Sequence, residues 1–283
     1  MFPCGPSSVG QLGRGWSKES QRHRLLLRYR PPVIDEDGYF GERVAEQYDQ
    51  SSSPLFQNDV IESTVSVLTE LANGGRALEL GVGTGRIALP LARRGVPVHG
   101  IELSRAMVAR MRAKPGGDAV AVSIGDFATT TVDTKADGAF SLAYLVYNTI
   151  MNLTSQKAQV ACFRNVAEHL EPGGCFVVEV MVPELRKLPA GQNIVPFHTS
   201  PTRWAYSVYD VTTQAMTCHY IEVSDEGRGE HREVPFRYVW PAELDLMARL
   251  AGLRLRDRWE GWTRKPFAED SAQHVSVWEK PIS

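Results

Sequence analysis

The chain has 283 residues and a formal net charge of −2. That length suits one large α/β domain, or one domain with an insertion, and so balanced a charge gives no reason to expect nucleic acid or an anionic membrane as a partner. No run approaches the roughly 18 apolar residues of a membrane-spanning helix. The charge is unevenly placed. Residues 1–32 hold six basic side chains (Arg14, Lys18, Arg22, Arg24, Arg28 and Arg30) against the single acid Glu19, which leaves an acidic remainder of 25 basic and 32 acidic residues. Such a body tolerates a cationic or amine substrate. Cys4, Cys162, Cys175 and Cys218 show no metal-ligand spacing, so reduced thiols, no metal and a cytoplasmic location are expected.

In chain order, residues 1–34 read as a basic disordered tail, broken by Pro3, Pro6, Gly10, Gly13 and Gly15. From Asp35 a helical spacing sets in, with Tyr39 or Phe40, Val44 and Tyr48 on one face. A second helix over 56–71 stops at Asn73-Gly74-Gly75. The next stretch organises the chain. Ala77-Leu78-Glu79-Leu80 reads as a buried strand of a parallel sheet. Gly81, Gly83 and Gly85 follow at once, and Ile87, Leu89, Leu91 and Ala92 begin a helix running to Arg94. Strand, glycine loop and helix bring a ligand onto bare backbone N–H groups. A dinucleotide fingerprint would place a glycine at position 86, where Arg86 stands, and a P-loop would need Gly-Lys followed by Ser or Thr, a run the chain lacks.

A second strand over 96–101 ends in Glu102, 21 positions beyond Gly81. At that spacing an acid can accept both ribose hydroxyls of an adenosine. Ser104 is an N-cap candidate for a helix carrying Met107, Val108 and Met111. A third strand over 119–124 runs into Gly125-Asp126-Phe127, and a fourth over 138–144 ends at Tyr144 and enters the loop 145–153. Ligands of a doubly wound sheet bind beyond the carboxyl ends of its strands, so this loop and its Tyr147 face the reacting group. A helix over 155–170, the turn Glu171-Pro172-Gly173-Gly174 and a strand over 175–180 follow. Residues 183–240 depart from this alternation. Segments 204–211, 215–223 and 233–239 alternate in strand fashion, with a turn at 225–229, and read as an inserted antiparallel meander. A helix starting at Pro241 and strands over 253–259 and 274–278 close the chain.

The acid, one residue, then three alternate glycines (Glu79, Gly81, Gly83, Gly85) resemble motif I of the class I S-adenosylmethionine (SAM)-dependent methyltransferases, and the likeness extends over roughly residues 36–281. It implies an α/β fold: a Rossmann-like, doubly wound, seven-stranded sheet with an antiparallel last strand, plus the inserted β meander. Residues 35–182 would form the SAM-binding core, 183–240 a lid or dimerisation subdomain, and 241–283 the end of the core. The implied cofactor is SAM. Its implied contacts are Tyr39 and Tyr48 on the N-terminal helix, Glu79, Gly81, Gly83 and Gly85, then Glu102 and Leu103, Met107 against the adenine, Asp126 and Phe127 at its amino group, and Tyr144. The loop after the fourth strand lacks the prolines of enzymes that methylate DNA bases, which argues against a base substrate.

Methyl transfer from a sulfonium is an in-line displacement in which the protein mainly aligns the acceptor. A base is needed only where the acceptor arrives protonated. Tyr147 and His198 are the catalytic candidates, with Tyr238 and His274 as further residues of the mouth. The expected activity is methylation of N or O of a small-molecule acceptor by a monomer or homodimer. Two alternatives stand beside it. One is an NAD(P)-dependent oxidoreductase, opposed by Arg86 and by the lack of a Tyr-x-x-x-Lys pair; the other is a non-catalytic SAM-binding protein.

Overall fold

The computed structural model describes the backbone of residues 28–29 and, in full, residues 37–50, 56–135 and 138–282. The short strand β1 (Arg28–Tyr29) precedes helices α1 (Glu42–Tyr48) and α2 (Asn58–Ala72). Asn73, at φ 47°, ends α2 in the left-handed conformation one residue before the glycines expected to do so. Strand and helix then alternate through β2 (Ala77–Leu80), α3 (Ala88–Arg93), β3 (Val98–Glu102), α4 (Arg105–Arg112), β4 (Ala121–Ile124), β5 (Phe140–Leu145), α5 (Gln156–His169) and β6 (Leu170–Met181). Ser104 and Ser155 cap α4 and α5 by accepting the N–H groups of Met107 and Ala158. Four antiparallel strands follow: β7 (Ile194–Thr199), β8 (Arg203–Tyr209), β9 (Ala215–Val223) and β10 (Gly229–Arg237). Helix α6 (Pro241–Leu250) and strands β11 (Arg254–Trp259) and β12 (Gln273–Glu279) complete the chain.

The main sheet has seven strands in the order β11-β12-β6-β5-β2-β3-β4. Strands β2 to β6 run parallel, while β12 inserts antiparallel between β6 and β11. Every residue of β2 and β5 is buried, as expected of near-continuous apolar strands covered on both faces. The chain builds outward from β2 through β3 to β4, then returns to place β5 on the other side. This reversal opens a crevice at the carboxyl ends of β2 and β5.

Helix α2 closes one face of the sheet with Val65, Leu68 and Leu71 against Leu142, Val177 and Val275. Helices α5 and α6 close the other with Phe163, Val166, Leu244 and Met247. The inserted strands form a second sheet, β1-β10-β9-β8-β7. Its Val195, Tyr209, Met216, Cys218 and Val234 share the core of α5 and α6. At about 1.5–3 kcal/mol for each large apolar side chain buried, the insert is packed onto the core rather than tethered to it. Arg237 reinforces the joint, donating to Glu243 on α6 at 2.7 Å and to Gln159 on α5 at 2.5 Å.

Several expectations change: the turn expected at 171–174 lies inside β6, and Tyr39 and Phe40, expected on the N-terminal helix, precede α1. Strand β7 was not anticipated, because Pro196 and an irregularity between Pro196 and His198 interrupt its alternation; an edge strand tolerates both. Strand β10 starts at Gly229 rather than at 233. Arg28–Tyr29, expected inside the disordered tail, instead pair parallel with Glu230 and His231 on the open edge of β10, where unpaired backbone groups offer a template. The remainder of that tail, Cys4 included, lies outside the described residues. Cys162, Cys175 and Cys218 are free and buried, and no described helix is long and apolar enough to cross a membrane.

Candidate active site

The three loop glycines all take positive φ, +73° at Gly81, +55° at Gly83 and +76° at Gly85, yet they serve different ends. A Cβ on Gly81 would lie 2.8 Å from Thr149 Cγ2, and one on Gly85 only 2.7 Å from Met111 Cγ. Both glycines therefore allow internal packing. A Cβ on Gly83 would meet nothing closer than Met107 Cε at 3.6 Å. Gly83 thus presents bare backbone to the crevice, the surface a ligand can approach.

Two acids end the strands beside this loop. Glu102, 7% exposed, accepts the Gly83 N–H through Oε2 at 2.8 Å and the Ser104 N–H through Oε1 at 2.9 Å. Burial pushes its pKa up, and these N–H groups oppose the shift. A carboxylate offers about four acceptor positions, so two remain for a pair of ligand hydroxyls. Glu79, 3% exposed, accepts the Tyr144 hydroxyl at 2.9 Å. Burial pushes its carboxyl up to about 8, against the Tyr144 hydrogen bond and the Arg86 charge. An ammonium placed beside it would restore the carboxylate. Tyr144 itself is wholly buried and reaches the crevice through Glu79.

Helix α1 straps the crevice. Tyr39, Phe40, Tyr48, Phe56 and Tyr147 form a chain of edge contacts with successive centroid distances of 5.2, 6.2, 5.5 and 5.4 Å. The Arg86 guanidinium lies over Phe56 at 4.9 Å and over Tyr147 at 5.3 Å. Asp49, just past α1, accepts from Thr84 Oγ1 at 2.6 Å, which latches the strap to the glycine loop. Met107 is buried under the strap with Ala45, Ala106, Phe40 and Tyr48. The cavity left between Tyr48, Glu79, Gly83, Arg86 and Tyr147 measures 30 Å³, against roughly 300–1,000 Å³ for a small-molecule site. Arg86 and the aromatic residues of the strap occupy the mouth of this crevice. Leu103, 44% exposed, lies beside Gly38 at the rim. Phe127 is buried, 3.9 Å from the position of a Gly81 Cβ. Asp126 is exposed and uses Oδ1 to accept the Ala128 N–H.

Beyond β5, Tyr147 and Asn148 both adopt left-handed backbone, at φ 58° and 62°. Such residues cost roughly 1–3 kcal/mol each and persist only where neighbours over-determine them. The neighbour here is Glu179 on β6, 4% exposed. Its Oε2 accepts the Tyr147 N–H at 2.8 Å and its Oε1 accepts Trp262 Nε1–H at 2.7 Å. Asn148 Oδ1 accepts the Met181 N–H at 2.7 Å and completes the clamp. Glu179, Trp262, Asn148 and Phe56 were not picked out from the sequence. An acid inside the apolar run Val177-Val178-Glu179-Val180 was the available signal.

The other catalytic candidates fall elsewhere. His198 is exposed on β7, at the opposite edge of the second sheet from β10 and β1. Tyr238 is buried against Tyr209 and Trp240. His274 is wholly buried, its Nδ1 2.8 Å from Ser276 Oγ. None of the three joins Tyr147 at the cavity. The second sheet contributes different residues: Arg232 acts electrostatically on Tyr39, opposing the rise of its pKa by burial, and lies 5.4 Å from the Tyr220 ring.

A family model described as a methyltransferase domain matches residues 77–174. The CcbJ methyltransferase from Streptomyces caelestis is similar at 34% identity with a TM-score of 0.75, over 86% of this chain and 98% of that one. The cypemycin N-terminal methyltransferase of a Streptomyces species is 24% identical over 251 residues, 87% of this chain and 100% of the relative. CalS10, an amino pentose methyltransferase from Micromonospora echinaspora involved in calicheamicin biosynthesis and solved with SAM bound, shares the fold with a TM-score of 0.61. Its identity is 20% over 87% of this chain and 99% of that one. None of these similarities supports the oxidoreductase alternative.

Proposed function

The chain belongs to the class I SAM-dependent methyltransferases, and from that membership we propose that it methylates an amino nitrogen of a small-molecule acceptor. SAM supplies an electrophilic methyl group on a sulfonium, and the residues of the crevice fit it. Glu102 has two acceptor positions left for the ribose hydroxyls, and Glu79 is a buried acid awaiting a cation, the role of the methionine ammonium. Gly83 leaves room for the cofactor against the backbone. Met107, Leu103, Asp126 and Phe127 border the adenine side, and Tyr39 and Tyr48 close over it. Tyr147, which lines the cavity, stands on the acceptor side.

The observation that carries nitrogen over oxygen is the lining of the crevice. Tyr48, Glu79, Arg86, Tyr147 and Thr149 line it, an aromatic and acidic setting that suits an amine better than a hydroxyl. A hydroxyl acceptor must lose its proton as the methyl arrives, whereas a neutral amine attacks with its own lone pair and sheds a proton afterwards. The cypemycin relative, named an N-terminal methyltransferase, agrees with an amine acceptor. Aligning an amine at near-attack distance is the contribution required of the protein, worth up to about 7–11 kcal/mol.

The test is a pair of matched acceptors, an amino sugar and its hydroxyl counterpart, assayed for S-adenosylhomocysteine and by mass spectrometry. A methyl group on nitrogen is the expected product. Transfer to the hydroxyl alone contradicts the nitrogen assignment. No S-adenosylhomocysteine across a broad amine and hydroxyl panel favours a non-catalytic SAM-binding protein.

A further inference from the structure

The second sheet carries a group of side chains that methyl transfer does not use. Along β9 and β10, Cys218, Tyr220 and Val234 pack against the core, and Arg232, paired with Tyr220, shares their face. Alternation therefore turns His219, His231 and Glu233 to the opposite face. His219 and Glu233 are directly opposed in the β9–β10 register, and His231 sits two positions along β10. His219 Nδ1 and His231 Nε2 are 3.0 Å apart, with the two rings only 4° from parallel. Glu233 Oε1 lies 3.4 Å from His219 Nδ1 and 3.8 Å from His231 Nε2. The His219 ring stacks on Tyr206 at 4.7 Å, which fixes its orientation.

These three distances define a circle with a radius of about 2.0 Å, so one point lies at Zn–N and Zn–O bonding distance from all three atoms. We propose that His219, His231 and Glu233 bind a divalent transition-metal ion, Zn²⁺ being the best match, on the outer face of the insert. Two imidazoles and one carboxylate suit Zn²⁺, Co²⁺ or Ni²⁺; Ca²⁺ and Mg²⁺ prefer all-oxygen sets. The donors stand on paired strands, so little ordering remains to be done on binding. In the free protein one hydrogen links the two facing nitrogens. On metal binding it leaves for solvent, and the imidazole that carried it takes up a proton on its other nitrogen. Both rings pivot so that their freed lone pairs turn to the ion. A four-coordinate ion would keep one position for water. Such an ion ties β9 to β10 on the face behind Tyr220 and Arg232.

The experiment uses the full-length untagged protein, stripped with a chelator and titrated with Co²⁺ while the visible spectrum is recorded, then back-titrated with Zn²⁺. The expected result is one equivalent of Co²⁺ with the intense bands of a four-coordinate N/O site, displaced by Zn²⁺, and a higher melting temperature with metal. His231→Ala and Glu233→Gln should each weaken Co²⁺ by at least tenfold. SAM affinity of both variants, measured in chelator, should match the wild type and show that they are folded. Absence of the bands at saturating Co²⁺ overturns the proposal. So does one-equivalent binding that survives both substitutions, because the ion then sits elsewhere.

Discussion

The Tyr147 N–H donates to Glu179 Oε2 over 2.8 Å, so a buried carboxylate on β6 fixes the backbone of the residue proposed to face the acceptor. Glu179→Ala leaves that part-buried N–H and the buried Trp262 indole N–H without an acceptor. At about 1–3 kcal/mol for each orphaned donor, urea unfolding should show a loss of roughly 2–6 kcal/mol. Trp262→Phe removes one bond only and should cost about 0.5–3 kcal/mol. If the clamp positions Tyr147, kcat at saturating SAM falls in both variants while SAM affinity changes little. A destabilised Glu179→Ala enzyme with wild-type kcat would make the clamp purely structural.

Gly83 and Gly85 should separate binding from folding. Alanine in left-handed backbone costs about 1–2 kcal/mol at either site. Gly85→Ala adds a clash with Met111 and Leu89, at 2.7 and 2.9 Å, for a further ~1–3 kcal/mol. Its main readout is therefore a lowered melting temperature. Gly83→Ala has room for its Cβ within the protein and fills the space of the ligand, so SAM affinity falls with a smaller loss of stability. Gly83→Val should abolish SAM binding in a protein that still folds. Equal effects of the two alanines on SAM binding would remove the distinction.

Glu79 predicts a proton linkage. Burial raises its pKa from the ordinary 4.5 to about 8. Its neutral form therefore adds stability that is full below pH 4.5 and lost as pH rises through about 8. The SAM ammonium prefers the carboxylate, so binding below pH 8 expels this proton. Between pH 6 and 8 SAM affinity should rise by up to tenfold per unit and flatten above. Calorimetry in buffers of different ionisation enthalpy should detect the released proton, and Glu79→Gln should abolish both the slope and the release. Flat affinity in the wild type without proton release would take Glu79 away from the ammonium.

What was legible in the sequence was local. The buried strand before Gly81, the acid ending β3 and the Ser104 cap are each written within a few residues, so periodicity and spacing found them. The Glu179–Trp262 bond joins residues 83 positions apart and exists only because the final strands fold back beside β6. No local pattern encodes that return. Arg86 registered only as a missing glycine, although its guanidinium fills the mouth over Phe56 and Tyr147. His198 was expected near the mouth with no local motif behind it, and its strand was hidden by Pro196. The cluster of His219, His231 and Glu233 likewise becomes visible only through the hairpin register.

The central claim, a SAM site built on Gly83 and Glu102, is tested most directly by calorimetric titration of wild type and Glu102→Gln with SAM, S-adenosylhomocysteine and NADH. Glutamine preserves the shape of Glu102 but loses its charge and turns an amide N–H toward the Gly83 or the Ser104 donor. Hydrogen bonds to a charged acceptor are worth about 1.5–3 kcal/mol each. With part of that recovered by water, SAM should weaken roughly ten- to a thousandfold. S-adenosylhomocysteine, which has the same ribose, should weaken by a similar factor, and NADH should bind neither protein. Unchanged SAM affinity in Glu102→Gln at unchanged melting temperature, or tighter binding of NADH than of SAM by the wild type, would contradict the account.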